Sequence, residues 1–216
     1  MSPAYSRALI VRSGGRWRAL PPPPKDSLGN AYQCGNTVSE LEHRAHGSNL
    51  RLLALQACSL HLHGYTERVD PRATYSSPTA VGLMMAVGNV GVTLAPYADS
   101  DTFLTRDGGF TWQEVHKDAH LWEFGDQGTI LVLANDEVPT DRVSYSLDQG
   151  LTWADYVFGD PIRIRSIVTV PQDTSRKFIL FGYAPRRQEV SIAVHLDFSK
   201  VTNTKCKSCS SSLFSY

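Results

Sequence analysis

An eight-residue segment occurs twice and restricts the fold more than any other feature of the chain. Thr105-Arg106-Asp107-Gly108-Gly109-Phe110-Thr111-Trp112 aligns with Ser146-Leu147-Asp148-Gln149-Gly150-Leu151-Thr152-Trp153, and the two aspartates are 41 residues apart. The shared pattern S/T-x-D-x-G-x-T-W is an Asp-box. In a hairpin, the Asp107 or Asp148 carboxylate accepts backbone N–H groups of its own turn. Gly109 or Gly150 supplies a positive φ. The hydroxyls of Thr105, Thr111, Ser146 and Thr152 tie the hairpin ends together. Trp112 or Trp153 opens the next strand as a wedge, its N–H given a partner. Four candidate strands, Leu121–Phe124, Ile130–Ala134, Arg142–Ser146 and Trp153–Phe158, fill one such period. Periods of about 40–50 residues with four strands each are those of propeller blades. The expectation is an all-β chain, a partial β-propeller of antiparallel four-stranded blades with an Asp-box hairpin joining the third and fourth strands.

Further apolar, β-rich runs extend this meander: Val81–Gly88, Thr102–Thr105, Trp112–Val115, Ile164–Val170, Phe178–Tyr183 and Val190–Phe198. Asp126-Gln127-Gly128 and Asp160-Pro161 punctuate it. Residues 1–35 read as the remnant of a preceding blade plus a loop around Pro21–Pro24, with Ser13–Trp17 as a degraded box. Residues 36–57 read as an insertion, poorly ordered; 58–205 as closing blades; 206–216 as the start of a truncated cysteine-rich module or a disordered tail.

Basic and acidic side chains balance at 21 each, which argues against nucleic-acid binding. No apolar run reaches the roughly 18–20 residues needed to span a bilayer. Near the N-terminus only Ala8–Val11 is apolar, so no secretion signal is expected. Cys206-Lys-Ser-Cys209 has CxxC spacing but lies in a polar tail without a second CxxC or a His pair.

Candidate chemistry is sparse. Asp107 and Asp148 are committed to turns. Of the arginines, notably Arg163, Arg165, Arg186 and Arg187, Arg163 and Arg165 alternate on one strand face and can form a carboxylate clamp; we prefer a solvated strand face. His61 and His63 share one face of a strand, followed by Glu67 and Asp70, and we read them as polar strand residues rather than metal ligands. No catalytic residue, metal site or cofactor is expected.

From Cys58 to Cys206 the chain resembles the sortilin family, specifically fungal vacuolar protein-sorting receptors of the carboxypeptidase Y type. The resemblance rests on CSLHLHG at 58–64, GNVG at 88–91, DSDTFLTRDGGFTWQEVHKDAHLWEFGDQGTILVLAND at 99–136, RSIVTVPQDTSRKFILFGY at 165–183 and HLDFSKVTNTKC at 195–206. It implies the closing part of a ten-bladed lumenal propeller in a Golgi and endosomal receptor. Such a receptor has no enzymatic activity, carries soluble vacuolar hydrolases, and meets the membrane only through segments absent here. It also implies a disulfide between Cys34 and Cys58. No ligand-contact residue carries over. An Asp-box glycosidase of sialidase type stays open as the alternative, and a truncated or mis-spliced gene as the origin of the chain.

Overall fold

Period-two alternation sorts the side chains of each strand into opposite faces, and the faces stack into three successive cores. The structure, a computed structural model, describes residues 9–11, 17–32, 58–64, 76–170, 174–185 and 187–201. Strands β1 (Leu9–Val11) and β2 (Trp17–Ala19) form an antiparallel pair. Strands β3 (Ser59–Leu62), β4 (Met84–Gly91), β5 (Asp101–Thr105) and β6 (Gln113–His116) form a four-stranded antiparallel sheet in chain order. Strands β7 (His120–Gly125), β8 (Ile130–Asn135), β9 (Thr140–Ser146), β10 (Ala154–Thr169), β11 (Lys177–Ala184) and β12 (Arg187–Asp197) form a second, six-stranded sheet in the same meander order. The chain is a partial propeller, all-β and antiparallel.

The middle core lies between the two large sheets. Met85, Leu104 and Val115 of the first sheet meet Phe124, Leu131 and Leu133 of the second. One residue out of step on β8, Ile130, Val132 and Ala134 point the other way. They meet Ile164, Ile167, Phe178 and Leu180 where the six-stranded sheet curls on itself. On the far side of the first sheet, Leu60, Ala86, Phe103 and Trp112 pack on Leu20. Each fully buried Leu, Ile or Phe contributes roughly 1.5–3 kcal/mol, against about 1 kcal/mol for a hydrogen bond, so side-chain packing dominates the joining of the sheets.

Two strand expectations change. Trp153–Phe158 and Ile164–Val170 belong to one strand, β10, whose first half pairs with β9 and whose second half pairs with β11. Gly159 (φ 139°) and the Asp160-Pro161 pair mark a register shift between Val157 and Ile162, where the strand changes partner instead of ending. The run starting at Val81 becomes a strand only at Met84. Ala80 N–H donates to Ser77 and Leu83 N–H to Ala80, and Gly82 takes φ 81°, which leaves Val81 91% exposed in a turn.

Candidate functional site

Both boxes occupy the hairpin between the third and fourth strands of a meander, β5–β6 and β9–β10. In the first, Asp107 Oδ1 accepts Thr105 Oγ1 (2.8 Å) and Thr111 N (2.9 Å), and Oδ2 accepts Thr111 Oγ1 (2.7 Å). Gly109 N–H donates to Thr105 Oγ1 at 3.0 Å. In the second, Asp148 Oδ1 accepts Ser146 Oγ (2.7 Å), Leu151 N (3.0 Å) and Thr152 N (2.9 Å), and Oδ2 accepts Thr152 Oγ1 (2.7 Å). Desolvation opposes ionisation of both carboxyls, but these hydrogen bonds outweigh it and hold each pKa at about 2. Their lone pairs are spent within their own turns.

The indoles differ. Trp112 Nε1 donates to Gly109 O at 3.1 Å. Trp153 Nε1 is buried without an acceptor among the described residues, so the partner expected for each box tryptophan exists only in the first. The equivalent carbonyl, Gly150 O, is taken by the Arg106 guanidinium, whose Nε also donates to Gln149 O at 2.9 Å. Arg106 thus reaches from the first box into the turn of the second. The only sequence sign of this was an asymmetry: the matching position of the second box is Leu147.

A second polar centre surrounds Glu114, whose side chain is fully buried. It accepts Ser27 N (3.1 Å), Ser27 Oγ (2.9 Å) and the Tyr32 hydroxyl, and pairs with Lys117 Nζ at 2.7 Å. Lys117 also approaches Asp101 (3.3 Å) and Asp26 (3.6 Å). Burial and the Glu114 carboxylate push the Tyr32 phenol far above its ordinary range; burial and Glu114 likewise raise Asp101. Lys117 loses solvation, but its bonds to Glu114 and Asp101 raise its pKa overall. This centre fastens the proline-rich loop, residues 21–32, to β6.

The arginines split. Arg163 is largely buried, with Nη1 3.9 Å from Asp136 Oδ1, and Asp136 Oδ2 accepts the Tyr97 hydroxyl at 3.0 Å. Arg165 falls at the β10 bulge between Ile164 and Ser166 and lies 5.4 Å over the Tyr183 ring. Both arginines alternate with buried Ile162 and Ile164, but Arg163 is drawn in toward Asp136 while Arg165 is exposed, so of the two only Arg165 fits the solvated-face reading. Arg186 lies outside the described residues.

His61 and His63 are buried. His61 Nε2 lies 3.0 Å from Ser59 Oγ and 3.1 Å from Gly91 O, and His63 Nε2 lies 3.2 Å from Ser100 Oγ. Glu67 and Asp70 lie outside the described residues, among which no cluster of three or more His, Cys, Asp or Glu could hold a metal. Cys58 is disulfide-bonded; Cys34, Cys206 and Cys209 lie outside the described residues.

Between the two large sheets a cleft of about 170 Å³ opens, lined by His116, His120, Asn135, Arg142, Ser144 and Asp155 among others. The imidazoles of His116 and His120 lie 4.2 Å apart, centroid to centroid. Ser144 Oγ donates to Asp155 Oδ1 at 2.7 Å and lies 3.4 Å from His116 Nε2. Serine stands between acid and imidazole, an order that points its O–H at the carboxylate and not at the imidazole, and so does not activate it as a nucleophile.

Two family models match. "Sortilin, neurotensin receptor 3" covers residues 12–167, and its C-terminal companion covers 169–214. The chain is 60% identical over 199 residues to the vacuolar protein sorting/targeting protein 10 of Laccaria bicolor, covering 92% of this chain and 12% of that protein. It is 57% identical over 209 residues to the protein of the same name from Mycosarcoma maydis, covering 95% and 13%. An uncharacterized membrane glycoprotein of Saccharomyces cerevisiae is 45% identical over 201 residues, covering 92% and 17%. The chain therefore spans about an eighth of the length of the first two curated relatives. With paired box hairpins on stacked sheets and a family match across most of its length, the chain belongs to the sortilin–Vps10 family.

Proposed function

We propose that this chain is a lumenal, cargo-binding propeller segment of a receptor that sorts soluble hydrolases from Golgi to vacuole through endosomes, and that it performs no catalysis. The observation that carries the reading is 60% identity to a vacuolar protein sorting/targeting protein along 92% of the chain. Spending both box carboxylates on their own turns agrees with a binding module. The same reading pairs Cys58 with Cys34, a bond suited to an oxidising lumen. Peptide mapping without reductant tests the pair: a Cys58 fragment linked to Cys206 or Cys209 would refute it.

The functional test is an exchange. This chain replaces the matching segment of the Laccaria bicolor relative in a fungus lacking its own receptor, and secretion of a soluble vacuolar hydrolase is measured. Retention of the hydrolase is expected. A chimera that accumulates normally in Golgi and endosomes yet secretes hydrolase like the receptor-less strain would count against the reading.

A further inference from the structure

We propose that the cleft between the two large sheets binds a single cationic, donor-rich group, a primary ammonium or a guanidinium, held by His120 Nε2 and the Asp155 carboxylate. The argument starts from the His120 tautomer. Its Nδ1 lies 3.0 Å from Asp118 O. A carbonyl only accepts, so Nδ1 carries the proton and Nε2 presents a lone pair. Thr102 Oγ1, 3.3 Å from Nδ1, spends its own hydrogen on Asp118 O at 2.8 Å and offers none. His120 is only 4% exposed and lines the cleft, and its hydrogen bonds among the described residues are made by Nδ1, which leaves the Nε2 lone pair open to the cleft. An open lone pair on a rigidly held ring is a ready acceptor for a donor that enters the cleft.

The neighbours extend the same polarity. His116 Nδ1 donates to Lys117 O at 2.7 Å, which turns its Nε2 toward the cleft. Ser144 gives its hydrogen to Asp155, which keeps further acceptor capacity. Arg142 is the one arginine or lysine among the described residues of the wall, and its Nε is paired with Asp141 at 2.9 Å. Asp141, which is not on the wall, thus offsets the Arg142 charge and leaves the Asp155 carboxylate for an entering cation. The volume, about 170 Å³, exceeds the share of one water, about 30 Å³, and admits an alkyl-ammonium or alkyl-guanidinium group.

The site goes beyond the receptor reading and does not depend on it. Its test therefore uses no hydrolase. The full chain is titrated with ethylammonium while the ring nitrogens of His120 are followed by two-bond ¹H–¹⁵N spectra. A saturable shift of His120 Nε2 is expected, absent with tetramethylammonium, which has no N–H. Asp155→Asn, at an exposed position that spares the core, should weaken binding at least fivefold. Arg142→Met should strengthen it severalfold. A capped Gly-Lys-Gly peptide binding more tightly than ethylammonium assigns the site to a polypeptide side chain, and the reverse order assigns it to a free amine. No Nε2 shift, an equal shift with tetramethylammonium, a response to zinc alone, or an Asp155→Asn chain that binds like wild type would overturn the proposal.

Discussion

At the second box, the aspartate and glycine positions carry different loads. Asp148 accepts three side-chain and backbone donors on Oδ1 and the Thr152 hydroxyl on Oδ2. Asp148→Ala strands these donors and should cost about 1–3 kcal/mol in chemical denaturation. Gly150 sits at φ 78°, and a Cβ there would lie 2.3 Å from Leu104 Cδ2. Gly150→Ala combines a left-handed backbone with overpacking of the middle core and should cost more than Asp148→Ala, by about 1–3 kcal/mol. Equal midpoints for the two variants would refute that ranking. The role of Asp148 was legible in the sequence because every partner of its carboxylate lies within four residues, whereas the approach of Leu104 to Gly150 was not. The different fates of Trp112 and Trp153 were not, because the guanidinium that occupies Gly150 O arrives from a turn more than forty residues away.

The elements are joined by such long reaches. Arg106 bridges the two box turns, and if it displaces the Trp153 indole from Gly150 O, removing it returns that carbonyl. A double-mutant cycle of Arg106→Met and Trp153→Phe should therefore be non-additive by about 0.5–2 kcal/mol, with Trp153→Phe more costly in the Arg106→Met background. Strict additivity would show that the two side chains do not compete. Glu114 does the same work for the proline-rich loop. Glu114→Gln should accelerate hydrogen exchange at Ser27 more than at β8, and a uniform change over both would refute a local clasp. Elements were read well where period-two alternation met a packed face, as at β8. They were misread at β10, whose turn-like Asp160-Pro161 lies within a strand, and at Val81, whose apolar character belongs to an exposed turn. Glu114 gave no signal, since a charged residue in a strand ordinarily faces water.

For the molecule as a whole, acid acts first at the seam between the sheets. Burial, then the neighbouring His116 ring, depresses His120 from its ordinary 6.5 to about 4. Burial lowers His63 as well. A folded-state pKa below the unfolded one means that the unfolded chain binds protons first as pH falls. The stability His120 contributes is intact above pH 6.5 and is lost progressively between 6.5 and 4, up to about 3 kcal/mol. The box aspartates, held at about 2, keep their contribution above their ordinary 3.8 and lose it only as pH falls toward 2. Denaturation midpoints should decline from pH 6.5 to 4, and His120→Gln should flatten that decline. A slope unchanged by the substitution would place the acid sensitivity elsewhere.

The shared strand β10 also has a mechanical meaning. The two family models meet at 167/169, inside its β11-paired half. Tension applied along the chain passes from one side of the curled sheet to the other through a continuous backbone, with no slack loop to pay out first. The ladders to β9 and β11 would yield together, as a tie-rod fails, and not one after another as a hinge opens. The boundary that divides the family into two named modules falls, to a pulling force, inside a continuous strand laddered on both sides and not at a joint.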